Sequence, residues 1–176
     1  MKSKVLTLLL SLLCFLAVAQ NDDWKTFEKD NFSIQYPTNW TYSDQKPQPN
    51  IQFVLMADEA SQTEDLFREN INLNTEDLNG QEVELDEYID VAFKLVQKQF
   101  PDAKMVSNKD ISLNGMEAKA TEAIIDFGNG AVLKFKQYVM LYAGSAYILT
   151  FSSSTGEYDK YVKEATSILD TFKINS

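Results

Sequence analysis

The residues best equipped for chemistry in this chain are carboxylates. Between Asp58 and Asp90 stand Asp58, Glu59, Glu64, Asp65, Glu69, Glu76, Asp77, Glu82, Glu84, Asp86, Glu87 and Asp90, against a single base, Arg68. Twelve acids and one base give this stretch a net charge of −11. Such a run is open to several uses. It can be a solvated face that keeps the chain soluble. It can dock a basic partner, for which Asp58, Glu59, Glu64, Asp65, Glu69, Glu76 and Asp77 are the candidate contacts. It can also bind calcium, which asks for roughly six to eight oxygens from a tight loop of fixed spacing. No segment matches the EF-hand order of alternating Asp or Asn, a glycine and a closing glutamate. A carboxylate pair could also serve a small hydrolase, but the sequence offers many pairs and singles out none. Arg68 reads as an ion-pair partner inside this stretch rather than as an anion-binding residue.

What the chain lacks narrows the chemistry further. It has no histidine, and its one cysteine is Cys14. Without histidine there is no Ser-His-Asp triad, and without further cysteines there is no disulfide and no Cys/His zinc site. Gly128-Asn-Gly130 is a hairpin turn, not a dinucleotide fingerprint, because no helix follows it. No catalytic residue and no cofactor is therefore expected.

The first 19 residues have the layout of a signal peptide. Met1-Lys-Ser-Lys4 is a basic start, Val5 to Leu16 an apolar core, and Ala17-Val-Ala19 a small-residue cleavage site with Gln20 as the new N-terminus. The apolar run is too short for a membrane span. Leu13 stands before Cys14, where a lipidation signal wants a small residue, which argues against a lipoprotein. Residues 20–176 then form one expected domain, exported to the periplasm or the exterior. Losing Lys2 and Lys4 leaves 14 bases against 26 acids, a net of −12. So acidic a surface argues against nucleic acid and against anionic membranes. The expected partner is another exported or envelope protein.

The elements that must position these residues follow from periodicity. Trp24 to Glu28 and Phe32-Ser-Ile-Gln-Tyr36 read as an opening hairpin, and Pro37-Thr-Asn-Trp40 as a turn closed by an aromatic. Tyr42 to Asn50 reads as a loop and Ile51 to Met56 as a strand. From Phe67 to Leu73 the chain alternates, with Phe67, Glu69, Ile71 and Leu73 on one face. Arg68, Asn70, Asn72 and Asn74 form a polar ladder on the other, open to sugars or peptide but equally a plain solvent face. Asp86 is the expected N-cap of a helix running to about Gln99, stopped by Pro101. A four-stranded meander is expected from Met105 to Phe151, with Asn114-Gly115 as its strongest hairpin turn. Within it, Leu133, Phe135, Val139 and Leu141 make one apolar face. Tyr138, Tyr142 and Tyr147 are read as buried between helices rather than as an aromatic binding patch. Ser154 to Glu157 reads as a capping box for a last helix, whose stripe is Tyr158, Tyr161, Val162, Ala165, Ile168, Leu169 and Phe172.

The stretch Phe32-Ser-Ile-Gln-Tyr-Pro-Thr-Asn-Trp40 resembles the opening strand and turn of PsbP-like domains. Leu85-Asp-Glu-Tyr88, Ile111-Ser-Leu-Asn-Gly115 and Tyr147-Ile-Leu-Thr-Phe151 are similar to later features of that family in order and spacing, and the resemblance covers Trp24 to Phe172. It implies an α+β fold, a central antiparallel sheet of about six to eight strands flanked by helices in an α/β/α sandwich. It implies binding or assembly rather than catalysis. Members include a photosystem extrinsic subunit, a Ran nucleotide-release factor and exported bacterial proteins, and no catalytic motif carries over. Histidine-built metal sites of plant members have no counterpart here. The reading is thus an exported, non-catalytic binding module acting through protein contacts, with a calcium-responsive module or a small carboxylate hydrolase as alternatives.

Overall fold

Alternation of apolar and polar residues builds the strands that make up most of the regular structure. The structure, a computed structural model, describes residues 23–45, 48–59, 67–128 and 130–175. The expected leader, the Ala19/Gln20 cleavage position, Glu64 and Asp65 lie outside the described residues. The strands are β1 (Trp24–Lys29), β2 (Phe32–Pro37), β3 (Thr41–Ser43), β4 (Ile51–Met56) and β5 (Asn70–Asp77). Helix α1 (Leu85–Gln99) follows, then β6 (Lys104–Leu113), β7 (Met116–Asp126), β8 (Val132–Tyr142) and β9 (Ser145–Ser154). Helix α2 (Tyr158–Leu169) and β10 (Lys173–Ile174) close the chain. One sheet has seven strands in the order β3-β4-β5-β9-β8-β7-β6 and the other three, β1-β2-β10. All pairings are antiparallel. The expected meander is β6 to β9.

The centre of the large sheet is buried on both faces. Tyr138, Met140, Tyr147, Leu149 and Phe151 join Ala165, Ile168, Leu169 and Phe172 of the α2 end in the main core. The small sheet adds Phe32, Ile34 and Tyr36 to the same core. On the opposite face Val139 packs with Leu85 and Ile89 of α1, flanked by Leu141 and Ile148. The greasier face of β8 is thus covered by α1, while α2 covers the face that carries the lysines. Lys134 tolerates that position because its ammonium bridges Glu122 at 3.1 Å and lies 3.9 Å from the Tyr158 ring centroid. Tyr138 and Tyr147 are buried as expected, but Tyr142, at the hairpin end, is exposed.

Two polar buckles fix the C-terminal helix. The Trp40 indole is fully buried and donates to a Glu164 carboxylate oxygen at 2.8 Å, so the aromatic after the turn ties the small sheet to α2. Asn114 and Gly115 both take positive φ, and the Asn114 amide donates to the Phe172 carbonyl at 2.6 Å. The hairpin turn therefore also clamps the chain leaving α2.

Several boundaries differ from the sequence expectation. Tyr42 and Ser43, expected in the loop from Tyr42 to Asn50, belong to a strand, because Thr41–Ser43 pairs with Met56, Leu55 and Val54. The strand expected at Phe67–Leu73 runs instead from Asn70 to Asp77, its full length paired with β9. The N-cap of α1 is Glu84 rather than Asp86, and no side chain caps it. The capping box at Ser154 does not form. Ser154 is the last residue of β9, its hydroxyl is buried without a partner, and α2 starts after Glu157, which bonds Lys160 instead.

Burying a Leu or Ile side chain is worth about 1.5–3 kcal/mol, and removing one from a packed core costs about 2–5 kcal/mol because a cavity remains. Leu169→Ala should therefore lower unfolding free energy by about 2–5 kcal/mol. Leu95→Ala, on the exposed face of α1, should change it by about 0.5 kcal/mol or less. Urea titrations of the two variants check this.

Candidate functional site

The described acids of this stretch do not converge on one site. Asp58 and Glu59 are exposed, at the entry side of β5. Glu76 and Asp77 are exposed at its other end, roughly 20–25 Å away by the rise of an extended strand. Glu69 is fully buried, one Oε accepting from the Ser153 hydroxyl at 3.0 Å and the other without a partner. Its inward position, on the face it shares with Ile71 and Leu73, removes it from any docking surface and corrects the expectation that it is a partner contact. Asp86, in the first turn of α1, grips the Lys119 ammonium at 2.7 Å, and Asp110 holds the same ammonium from β6. Glu76 accepts from the Tyr88 hydroxyl at 2.6 Å. These contacts pin α1 to the sheet. No group of three or more acidic, His or Cys side chains among the described residues is arranged to hold a metal ion.

Two concave surfaces lie on the α1 face of the large sheet. The larger, about 740 Å³, is an open groove over β3, β4 and β5. Thr41 and Ser43 line one side, Val54 and Met56 the floor, and Asn70 and Asn72 the other side. Asp44 and Arg68 stand at its ends. Arg68 is held in place: its Nε donates to the Ala57 carbonyl at 2.7 Å and its guanidinium lies 3.9 Å from Glu59. Arg68 is therefore an ion-pair partner, as expected, and sits on the groove as well. The Asn70 amide donates to the Arg68 carbonyl at 3.1 Å. A floor of two apolar side chains between amides and hydroxyls suits an extended, polar ligand. Among the described residues one carboxylate, Asp44, lines this groove.

The smaller cavity, about 210 Å³, lies beneath α1. The asparagine ladder is split between the two. Asn70 and Asn72 face the groove, while Asn74 lines the cavity.

A family model described as PsbP-like protein matches residues 18–174. The chain is a member of the PsbP-like family. No curated protein matches the sequence at a significant level. Among solved structures it is similar to cyanobacterial PsbP, CyanoP, of Synechocystis sp. PCC 6803. That match has 14% identity and a TM-score of 0.63, covering 86% of this chain and 92% of the other. It is also similar to LpqN of Mycobacterium tuberculosis, a protein involved in cell envelope biogenesis. There identity is 13% and the TM-score 0.59, over 87% of this chain and 91% of the other. The Saccharomyces cerevisiae Ran-binding protein Mog1p matches at 7% identity and a TM-score of 0.60, over 86% and 95%. At these identities the likeness shows the PsbP-like α+β fold. No described helix is long and apolar enough to cross a membrane.

The groove residues contributed by β3 are not evident from the sequence, because Tyr42 and Ser43 open the proline-containing segment Tyr42 to Asn50, which reads as loop. The turn-closing Trp40 immediately before β3 was the available signal, since a buried aromatic there fixes the chain for pairing with β4.

Burial first, and then the Glu76 carboxylate, hold the Tyr88 hydroxyl above its ordinary value of 10.0. Burial and Asp170 do the same to Tyr138, whose hydroxyl donates to that carboxylate at 2.8 Å. Asp110 and Asp86 likewise hold the Lys119 ammonium up. Each group keeps its proton in the folded state at a pH where the unfolded chain has lost it. Unfolding then releases protons, and stability falls as pH rises. Urea midpoints should thus be flat to about pH 9 and decline above about pH 10. Tyr88→Phe or Tyr138→Phe should make that decline shallower, and a steeper decline in either variant would contradict the assignment.

Proposed function

We propose that this PsbP-like protein is a non-catalytic binding module that docks an exported or envelope protein through the open half of its large sheet. The observation that carries the reading is the 740 Å³ groove over β3–β4–β5, bounded by amides and hydroxyls with Arg68 at one end. An extended segment of a partner can place alternate side chains over such a surface while its backbone bonds amides and hydroxyls. Asp58 and Glu59, with Glu64 and Asp65 beside them in sequence, are the proposed acidic contacts at the entry side of β5. A partner with basic residues there would be steered electrostatically. Glu76 and Asp77, at the far end of β5, are proposed only as secondary contacts. The relatives support a binding role: Mog1p is named for binding Ran and LpqN for envelope biogenesis. Residues 1–19 support an exported partner, since they read as a cleavable signal peptide.

The test is purification of the tagged full chain from its own host at low and high salt, beside an Asn72→Trp variant that fills the groove. One stoichiometric partner should co-purify with the parent, weaken at high salt and be lost with Asn72→Trp. Replacing Asp58 and Glu59 by Asn and Gln should remove most of the salt dependence. A partner retained by Asn72→Trp, or none at either salt, would contradict the reading.

A further inference from the structure

We propose that the cavity beneath α1 is a second binding site, separate from the groove, for a small neutral ligand. The ligand would have an aromatic or short aliphatic body and one hydrogen-bond donor. The cavity measures about 210 Å³. An apolar cavity of about 150 Å³ already takes a benzene-sized guest, so this one suits a body of phenol to indole size. Its walls are apolar: Ile89, Ala92 and Val96 from α1, Met105 and Ile148 from the sheet. Among the described residues no charged side chain lines it, which suits a neutral guest.

The polar groups specify what that guest must carry. Asn74 lines the cavity, and its Oδ1 is buried with no hydrogen-bond partner. An orphaned buried acceptor costs free energy until a donor reaches it. Gln137 lines the cavity too, and its Nε2 donates to the Thr150 hydroxyl at 3.0 Å. That bond holds the Gln137 amide in place. An apolar pocket with a few convergent polar groups is the usual form of a small-molecule site. An acceptor left without a donor selects an O–H or N–H on the guest over a plain hydrocarbon of equal size.

The surrounding architecture fits a site that α1 closes. The helix is fastened at its start by Asp86 on Lys119 and by Tyr88 on Glu76, and beyond its end by the Phe100 ring, 4.9 Å from that of Phe127. The cavity lies between these fastenings. A guest there would hold the middle of α1 to the sheet and slow exchange of its amide protons.

Methyl-detected NMR of the full chain, titrated with phenol, indole and toluene, tests this. Phenol and indole should shift the Ile89, Met105 and Ile148 methyl signals saturably, binding about tenfold tighter than toluene, the worth of one buried hydrogen bond. Asn74→Leu keeps the branched shape and removes the acceptor, so it should bring phenol down to the affinity of toluene in the same variant. Ala92→Leu should abolish all three. Equal affinity for phenol and toluene in the parent would overturn the proposal. So would the absence of saturable shifts at millimolar probe, or shifts that survive Ala92→Leu in folded protein. If Ala92→Leu does not fold, the Asn74→Leu comparison decides alone.

Discussion

A helix is about 10 Å across and a seven-stranded sheet nearly 30 Å wide, so one helix cannot cover one face of such a sheet. That mismatch governs this molecule. On one face the shortfall is made up: α2 and the three-stranded sheet together bury Phe53, Leu55, Ile71, Leu73 and Phe151. On the other face α1 is the one described helix, over the β8–β9 region, and among the described residues the strands to one side of it, β3, β4 and the start of β5, carry no covering element. Their exposed side chains are accordingly polar or small, with Val54 and Met56 as the apolar floor. The groove is what remains when a wide sheet has one helix on one side.

The same constraint explains how the acids are used. A lone helix over a wide sheet has limited apolar area to hold it, and only Leu85 and Ile89 of α1 are buried. Polar fastenings supplement that contact. Asp86 reaches Lys119, and Glu76 reaches Tyr88. The described acids of the segment therefore include two that secure α1, Glu76 and Asp86, one that is buried against Ser153, Glu69, and exposed ones, of which Asp58 and Glu59 lie near the groove. Its charge has a structural share that a count of carboxylates does not reveal.

Much of the fold was legible in the sequence because it rests on periodicity. The alternation in Leu133 to Leu141, the stripe from Tyr158 to Phe172 and the Asn114-Gly115 turn each have one low-energy reading. The family resemblance rested on Phe32 to Trp40, and Trp40 is the buried anchor between β2 and α2. The misreadings fall where a non-local partner decides. Thr41 to Ser43 is a strand only because β4 lies beside it. Ser154 looked like a cap, but pairing with β8 extends β9 through it. The groove was not legible as a site, since which half of a sheet stays uncovered depends on where helices land. Asn70, Asn72 and Asn74 looked like one ladder, and α1 divides it.

The central claim is that the uncovered half of the sheet is the surface on which a partner docks. Site-specific photocrosslinking in the native host tests it most directly, with a photoreactive amino acid placed at position 72 in the groove or at position 94 on the outer side of α1. The account predicts one discrete protein adduct from position 72 and none from position 94. An adduct from position 94 alone, or from neither, would contradict it.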